Sequence, residues 1–128
     1  MRRVLDTDIL VDVLRKRASA AAWLGSPAEQ PSVPGFVVME LMRGCADKAD
    51  LRRVLSLARL FPIIWPNEAD CTRALMGYAA LRLSSGISVL DCLIAATAVR
   101  RSATLVTFNA KHFAAVPSLT TEQPYDRA

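Results

Sequence analysis

Three carboxylates stand inside apolar stretches that are far apart in the chain. Asp6 ends the run RRVLD, Glu40 lies within FVVMELMRG, and Asp91 interrupts ISVLDCLIAATA. A carboxylate is almost never fully buried without a partner, and clustered carboxylates raise one another's pKa. We therefore expect these groups to converge on a cation. Mg²⁺ and Mn²⁺ suit such a site because they take oxygen ligands and keep several waters.

Each acidic residue also has a simpler interpretation. Asp6 could begin an Asx turn, Glu40 could pair with a nearby arginine on its helix, and Asp91 could cap the helix that follows. Asp8 is interpreted as the cap of the first helix, and Asp12 as a solvated position one turn later. Any of these interpretations is plausible alone, but a shared cation accounts for Asp6, Glu40 and Asp91 together.

Short apolar strands that alternate with helices position these side chains. The pair Val4-Leu5 ends at Asp6, and apolar residues recur at helical spacing from Asp8 onward. The alternation predicts a parallel sheet with helices on both faces. The predicted strands are 4–5, 31–33, 63–65, 105–106 and 119–121, and the predicted helices are 8–14, 18–24, 34–44, 47–60, 68–84, 88–101 and 110–113. Ligands bind beyond the carboxyl ends of strands in such folds, and Asp6 stands at such an end.

Length and composition indicate one well-packed domain. The chain has 128 residues, 52% of them hydrophobic, and a net charge of +4 that suits a polyanionic partner. We expect a single domain over residues 1–121 and a loose polar tail over residues 122–128. No apolar run is long enough to span a bilayer, and three aspartates would interrupt a signal peptide near the start, so the prediction is a cytoplasmic protein.

Four segments of the chain resemble the motifs of PIN-domain proteins, and most closely those of the VapC-type toxins of bacterial toxin–antitoxin pairs. They are VLDTDILVDVL, VVMELMRG, GISVLDCLIAATA and TLVTFNAKHF, and their order, spacing and total length agree with that family. The resemblance extends from Arg3 to about Thr121. It implies a three-layer α/β/α fold with a mostly parallel, about five-stranded central sheet.

The resemblance also implies an endoribonuclease that depends on Mg²⁺ or Mn²⁺. Matched residue by residue, Asp6, Glu40 and Asp91 correspond to the family's first three acids, and Thr7 to a small hydroxyl residue that helps to order the site. Many relatives carry a fourth acid where this chain has Asn109, which puts a second metal ion in doubt. An asparagine can still ligate through its carbonyl or hold a metal-bound water.

The expected mechanism follows from the cation. A metal-activated water would attack the phosphodiester in line and leave a 5′-phosphate and a 3′-hydroxyl, with Asp91 orienting or deprotonating that water. Arg43, on the same helix as Glu40, and Lys111 are the candidates for gripping the RNA, although both could be surface charges. The family usually forms a homodimer, and a small VapB-type antitoxin neutralises it.

Two other functions are compatible with the residues. The missing fourth acid permits a catalytically inactive PIN fold that only binds RNA or a protein. The run DTDIL also resembles the opening motif of haloacid-dehalogenase-type phosphatases, in which Asp6 would be the nucleophile and Asp8 the acid. That motif usually has threonine or valine where Leu10 stands here. His112, the only histidine, has no geometry from the sequence that favours catalysis.

Overall fold

A computed structural model of the chain describes residues 2–26 and 29–127. It contains every strand and helix that the sequence predicts, with small differences at their ends. The elements are β1 (Arg3–Leu5), α1 (Thr7–Leu14), α2 (Ala18–Leu24), β2 (Val33–Pro34), α3 (Gly35–Arg43), α4 (Lys48–Ala58), β3 (Ile63–Ile64), α5 (Glu68–Ser85), α6 (Val89–Arg100), β4 (Thr104–Val106), α7 (Ala110–Phe113) and β5 (Thr120–Glu122).

The five strands are all parallel, and β1 lies in the middle. β4 pairs with β1 on one side and with β5 beyond it, while β2 pairs with β3. The two groups join beside β1, where Ser32 N donates to Arg3 O at 2.9 Å and Leu5 N donates to Ser32 O at 3.0 Å. The strand order is therefore β3-β2-β1-β4-β5, which confirms the predicted α/β fold with a parallel sheet.

The core forms where the central strands meet the helices. Leu5 and Leu105, on neighbouring strands, are completely buried, as is Ile9 on α1. Helix α6 packs between β4 and α5, and five consecutive residues from Ile94 to Ala98 are buried. This helix has neighbours on most sides, which explains why its sequence is apolar all round rather than along one face. The core thus fixes the helix that carries Asp91.

Helices α1, α3 and α4 form a second packed group that carries Glu40. Helix α3 begins at Gly35, where the Trp65 ring lies so close that a Cβ atom would stand 2.2 Å from it. Only glycine fits under this ring without displacing it. None of the helices in residues 2–26 and 29–127 combines the length and apolarity that crossing a bilayer requires.

Two expectations about polar positions are wrong. Asp12 is buried rather than solvated, because Tyr125, Arg17 and Arg127 surround its carboxylate. The described part of the tail, residues 122–127, is not loose, because Tyr125 and Arg127 pack against α1 through these contacts. The last strand also runs to Glu122, where the polar tail was predicted to begin.

Candidate active site and metal centre

Asp6 lies at the carboxyl end of the central strand and caps helix α1. Only 6% of the residue is exposed. Its Oδ1 accepts a hydrogen bond from Thr7 N at 2.8 Å, and its Oδ2 accepts one from Thr107 Oγ1 at 2.8 Å. Since β1 and β4 are parallel neighbours, their carboxyl ends bring Asp6 and Thr107 together across 101 residues of chain.

The sequence suggested that Asp8 caps the first helix, but the cap of α1 is Asp6. The Asp8 side chain turns instead to the loop after β4, where its Oδ2 accepts a hydrogen bond from Phe108 N at 2.9 Å. Its Oδ1 is buried and accepts no hydrogen bond from any residue that the structure describes. A buried carboxylate oxygen without a donor is costly, so this part of the fold favours a positive charge nearby.

The carboxylates of this region repel one another. Burial, together with the charges of Asp8 and Asp91, raises the pKa of Asp6 to about 6, although the hydrogen bonds from Thr107 and Thr7 oppose the rise. Burial also raises the pKa of Asp8, against the hydrogen bond from Phe108 N and the charge of Arg127. The net rise at both carboxyls shows that their protein partners do not offset burial and mutual repulsion.

Glu40 reaches the site through Thr7. The Thr7 hydroxyl donates to Glu40 Oε2 at 2.7 Å, and the Thr7 amide donates to Asp6. One residue therefore links two of the predicted acids, and Glu40 is held by Thr7 rather than by Arg43. Glu40 is more exposed than its apolar surroundings in the sequence suggested, because this side of α3 faces a groove.

Asp91 occupies the first turn of α6 and makes a capping box with Ser88. Asp91 Oδ2 accepts from Ser88 N at 3.1 Å, while Ser88 Oγ accepts from Asp91 N at 3.0 Å. Ser88 is the N-cap of α6, so Asp91 is not the cap itself but completes the capping box from inside the first turn. The same carboxylate is near enough to raise the pKa of Asp6, so capping does not exclude a role beside that residue.

The donor chemistry of this region fits a hard divalent cation. It offers carboxylate oxygens, one of them buried without a donor, and mutual repulsion that a cation would relieve. In the positions that the side chains take here, no three His, Cys, Asp or Glu residues among 2–26 and 29–127 are close enough to hold a metal ion. One reason is that Asp91 Oδ2 already accepts a hydrogen bond from Ser88 N. A shared site for Asp6, Glu40 and Asp91 stays a prediction.

The loop after β4 contains a functional residue that the sequence reasoning missed. Thr107 is completely buried, and its hydroxyl both donates to Asp6 and accepts from Asn109 N at 3.0 Å. Asn109 begins α7 and is exposed, as are Lys111 and His112 on the same short helix. A hydroxyl residue directly after a buried strand, facing the strand that ends in Asp6, is the signal that could have identified Thr107.

A groove opens beside Thr7 and Glu40. It encloses about 620 Å³ between α1, α3 and α4, and Arg15, Arg43 and Arg53 line it. Arg53 is partly committed, because its Nη2 donates to Leu14 O at 2.9 Å and its Nη1 lies 3.7 Å from Asp50 Oδ1. Three arginines and Glu40 therefore line the same groove.

Comparisons with known proteins agree with this arrangement. The PIN domain family model matches residues 3–119. Ribonuclease VapC19 of Mycobacterium tuberculosis is 32% identical over 130 residues, which cover 96% of this chain and 99% of that protein. A toxin–antitoxin complex from Klebsiella pneumoniae matches with a TM-score of 0.77 and 28% identity, over 97% of this chain and 98% of that one. VapBC2 from Rickettsia felis, bound to a DNA fragment from its promoter, matches with a TM-score of 0.78 and 27% identity, over 95% of this chain and 98% of that one.

Proposed function

The chain belongs to the PIN-domain family, and on that premise we propose that it is a divalent-metal-dependent endoribonuclease and the toxin of a toxin–antitoxin pair. The observation that carries the proposal is the buried Asp6, whose pKa rises to about 6 beside two further carboxylates. Perturbed carboxyl groups gathered at the end of a central strand are typical of catalytic sites. The ribonuclease relative matches nearly the full length of the chain, which supports the same activity.

Asp6, Asp91 and Glu40 would hold the cation, Mg²⁺ or Mn²⁺. Asp6 is the first ligand because it is the most buried of the three and because burial raises its pKa to about 6. When bound, the ion stabilises the charge that builds on the phosphate and activates water as the nucleophile. The backbone amide of Asn109 donates to Thr107 Oγ1, so Asn109 lies next to these ligands. A relative with a fourth acid at this position would add a negative charge there.

The protein's own side chains divide the remaining tasks. Asp91 would orient the attacking water and accept its proton as the water oxygen bonds to phosphorus. The bond from phosphorus to the 3′-oxygen breaks and that oxygen takes a proton from solvent, which leaves a 5′-phosphate and a 3′-hydroxyl. Thr7 and Thr107 hold Glu40 and Asp6 in place by their hydroxyl groups. Arg43 in the groove binds the phosphate backbone of the RNA, and Lys111 is the second candidate. The chain's net charge of +4 supports a polyanionic substrate.

The partners we propose are a VapB-type antitoxin and a second copy of the chain, in the cytoplasm. Large apolar side chains stand exposed on α3, α4 and the nearby sheet edge, and a shallow groove of about 360 Å³ lies among them. Met39, Leu55, Leu60 and Trp65 are each more than a third exposed. An apolar area of this kind is typical of a surface that a partner covers.

A cleavage assay on total RNA tests the activity. The purified chain is incubated with Mg²⁺ or Mn²⁺, with EDTA, and as the variants Asp6→Asn and Asp91→Asn. We expect cleavage to need the metal and to be lost in both variants. Asp47→Asn is the matched control, since Asp47 caps α4 as Asp6 caps α1, and asparagine caps a helix equally well.

The outcomes separate the proposal from its alternatives. Cleavage that survives EDTA and both substitutions would mean that the activity comes from elsewhere. Binding of RNA without cleavage, at every concentration of Mg²⁺ and Mn²⁺, would identify an inactive PIN fold instead. The absence of an assembled three-residue metal cluster among the described residues is the observation that keeps this second function open. The family match removes the basis for the phosphatase alternative.

A further inference from the structure

The segment of residues 123–127 returns to helix α1 and ends beside the site. Tyr125 Oη donates to Asp12 Oδ2 at 2.7 Å, and Arg127 Nε donates to the same oxygen at 3.1 Å. Arg127 Nη2 also donates to the backbone oxygen of Asp8 at 3.3 Å. Asp12 is only 3% exposed, so this carboxylate is a buried anchor for two residues that lie 113 and 115 positions further along the chain.

The same two side chains enclose Phe108. The rings of Tyr125 and Phe108 meet edge to face, with centroids 5.0 Å apart and planes at 65°. The Arg127 guanidinium carbon lies 3.9 Å from the centroid of the Phe108 ring. An edge-to-face contact between two rings is favourable, and so is a cation over the face of a ring. Phe108 is therefore held on two sides by the end of the chain.

Phe108 lies in the middle of the loop that forms one wall of the site. Its amide donates to Asp8 Oδ2 at 2.9 Å. Thr107, the residue before it, donates to Asp6, and Asn109, the residue after it, donates to Thr107. A displacement of the Phe108 backbone would therefore also displace Thr107, whose hydroxyl holds Asp6.

We propose that Asp12, Tyr125 and Arg127 form a C-terminal clamp that positions the loop 107–109 against Asp6 and Asp8. The three are positioning residues, since they act on the site through Phe108. This inference rests on the proposed nuclease function for its catalytic consequence, but its structural part does not. The clamp explains why a buried carboxylate, a tyrosine hydroxyl, an arginine and an aromatic pair gather nearly two turns of α1 beyond Asp6.

The test compares Arg127→Ala with the parent by amide hydrogen exchange and by RNA cleavage. Asp12 keeps Tyr125 and Arg17 as partners in this variant, so the fold is preserved. We expect the Phe108 amide to exchange at least about tenfold faster, with Leu105 and Val106 unchanged, because a local opening exposes only the loop. We expect kcat to fall by about 10- to 100-fold with little change in KM, as for a misplaced catalytic group. Arg127→Lys keeps a positive charge near both Asp12 and the Phe108 ring. This variant should therefore recover part of the parent's protection of the Phe108 amide and part of its kcat.

Arg100→Ala is the matched control. Arg100 pairs with buried Asp70 at 2.7 Å, and the two arginines are similarly exposed, at 36% and 38%. This variant should leave kcat of the folded protein unchanged, and should not accelerate Phe108 exchange more than the exchange of Leu105 and Val106. The clamp is overturned if Arg127→Ala keeps the parent's Phe108 exchange and kcat, or if all amides accelerate together. If the parent does not cleave RNA at all, the proposed function fails, while Phe108 exchange still decides whether the clamp exists.

Discussion

Asp6 and Asp70 are buried to almost the same extent, at 6% and 2% exposure, but they differ in their partners. Asp70 accepts from Arg100 Nε at 2.7 Å and from Asn67 N at 3.0 Å, so a cation and a helix cap satisfy it. Among residues 2–26 and 29–127, the donors to Asp6 are neutral groups of Thr7 and Thr107, and two further carboxylates are close enough to repel it.

The difference separates two uses of a buried carboxylate. At Asp70, the charge is neutralised within the protein and joins α5 to α6. At Asp6, no cationic partner among the residues that the structure describes neutralises the negative charge, which has a free-energy cost unless a cation arrives. Burial alone therefore does not distinguish the two carboxylates, whereas burial together with an unneutralised charge sets Asp6 apart as the metal ligand that we propose.

The largest expected effect comes from breaking the satisfied pair. Arg100→Ala leaves Asp70 buried without its cation, and loss of one partner of such a pair costs about 3 kcal/mol of unfolding free energy. Urea denaturation measures this loss. Cleavage by the folded fraction should stay at the parent's level, and a selective loss of kcat would show that Asp70 and Arg100 also serve the site.

Replacing Asp6 should raise the free energy of unfolding instead of lowering it. In metal-free protein, the raised pKa means that folding favours protonated Asp6, so stability is lost as pH rises from about 4 through about 6. Asp6→Asn removes this penalty and should stabilise the metal-free protein by about 2–3 kcal/mol at pH 7.5, since one pKa unit is about 1.4 kcal/mol. Denaturation at pH 7.5 and at pH 3.5 checks it, and an equal gain at both values would contradict the charge argument.

Metal should reduce the difference in unfolding free energy between Asp6→Asn and the parent. Free Mn²⁺ at ten times its dissociation constant stabilises the parent by about 1.4 kcal/mol through mass action. The gain should vanish in Asp6→Asn and persist in Arg100→Ala. Thermal denaturation with and without Mn²⁺ measures it, and an equal shift in Asp6→Asn would place the ion away from Asp6.

The smallest effect is expected at Asp12, which resembles Asp70 more than Asp6. Burial opposes ionisation there, but Tyr125, Arg127 and Arg17 outweigh it and lower the pKa of Asp12. Tyr125→Phe should cost about 1 kcal/mol at neutral pH, the usual net value of one hydrogen bond. Because the pKa is lowered, the cost should shrink as the pH falls below the ordinary range of an aspartate, and denaturation at pH 7 and pH 3 follows it.

Local patterns were enough to predict the elements and the acids that follow them. Apolar periodicity located the strands and helices, and the end of β1 marked Asp6. The roles of Asp8 and Asp12 were not predictable in this way, because their partners are Phe108 and the tail, about 100 residues later. Glu40 was expected to be shielded, but apolar neighbours along a helix do not tell whether a groove opens beside it.

The position of β1 in the sheet has a consequence for synthesis on the ribosome. The first strand made is the central one, and its neighbour β4 emerges about a hundred residues later. Until then, Asp6 has no Thr107 and Asp8 has no Phe108 amide to hold it. Contacts of such long sequence separation form late in folding. On the proposed function, a nascent chain cannot assemble this carboxylate site until nearly the whole domain has been translated.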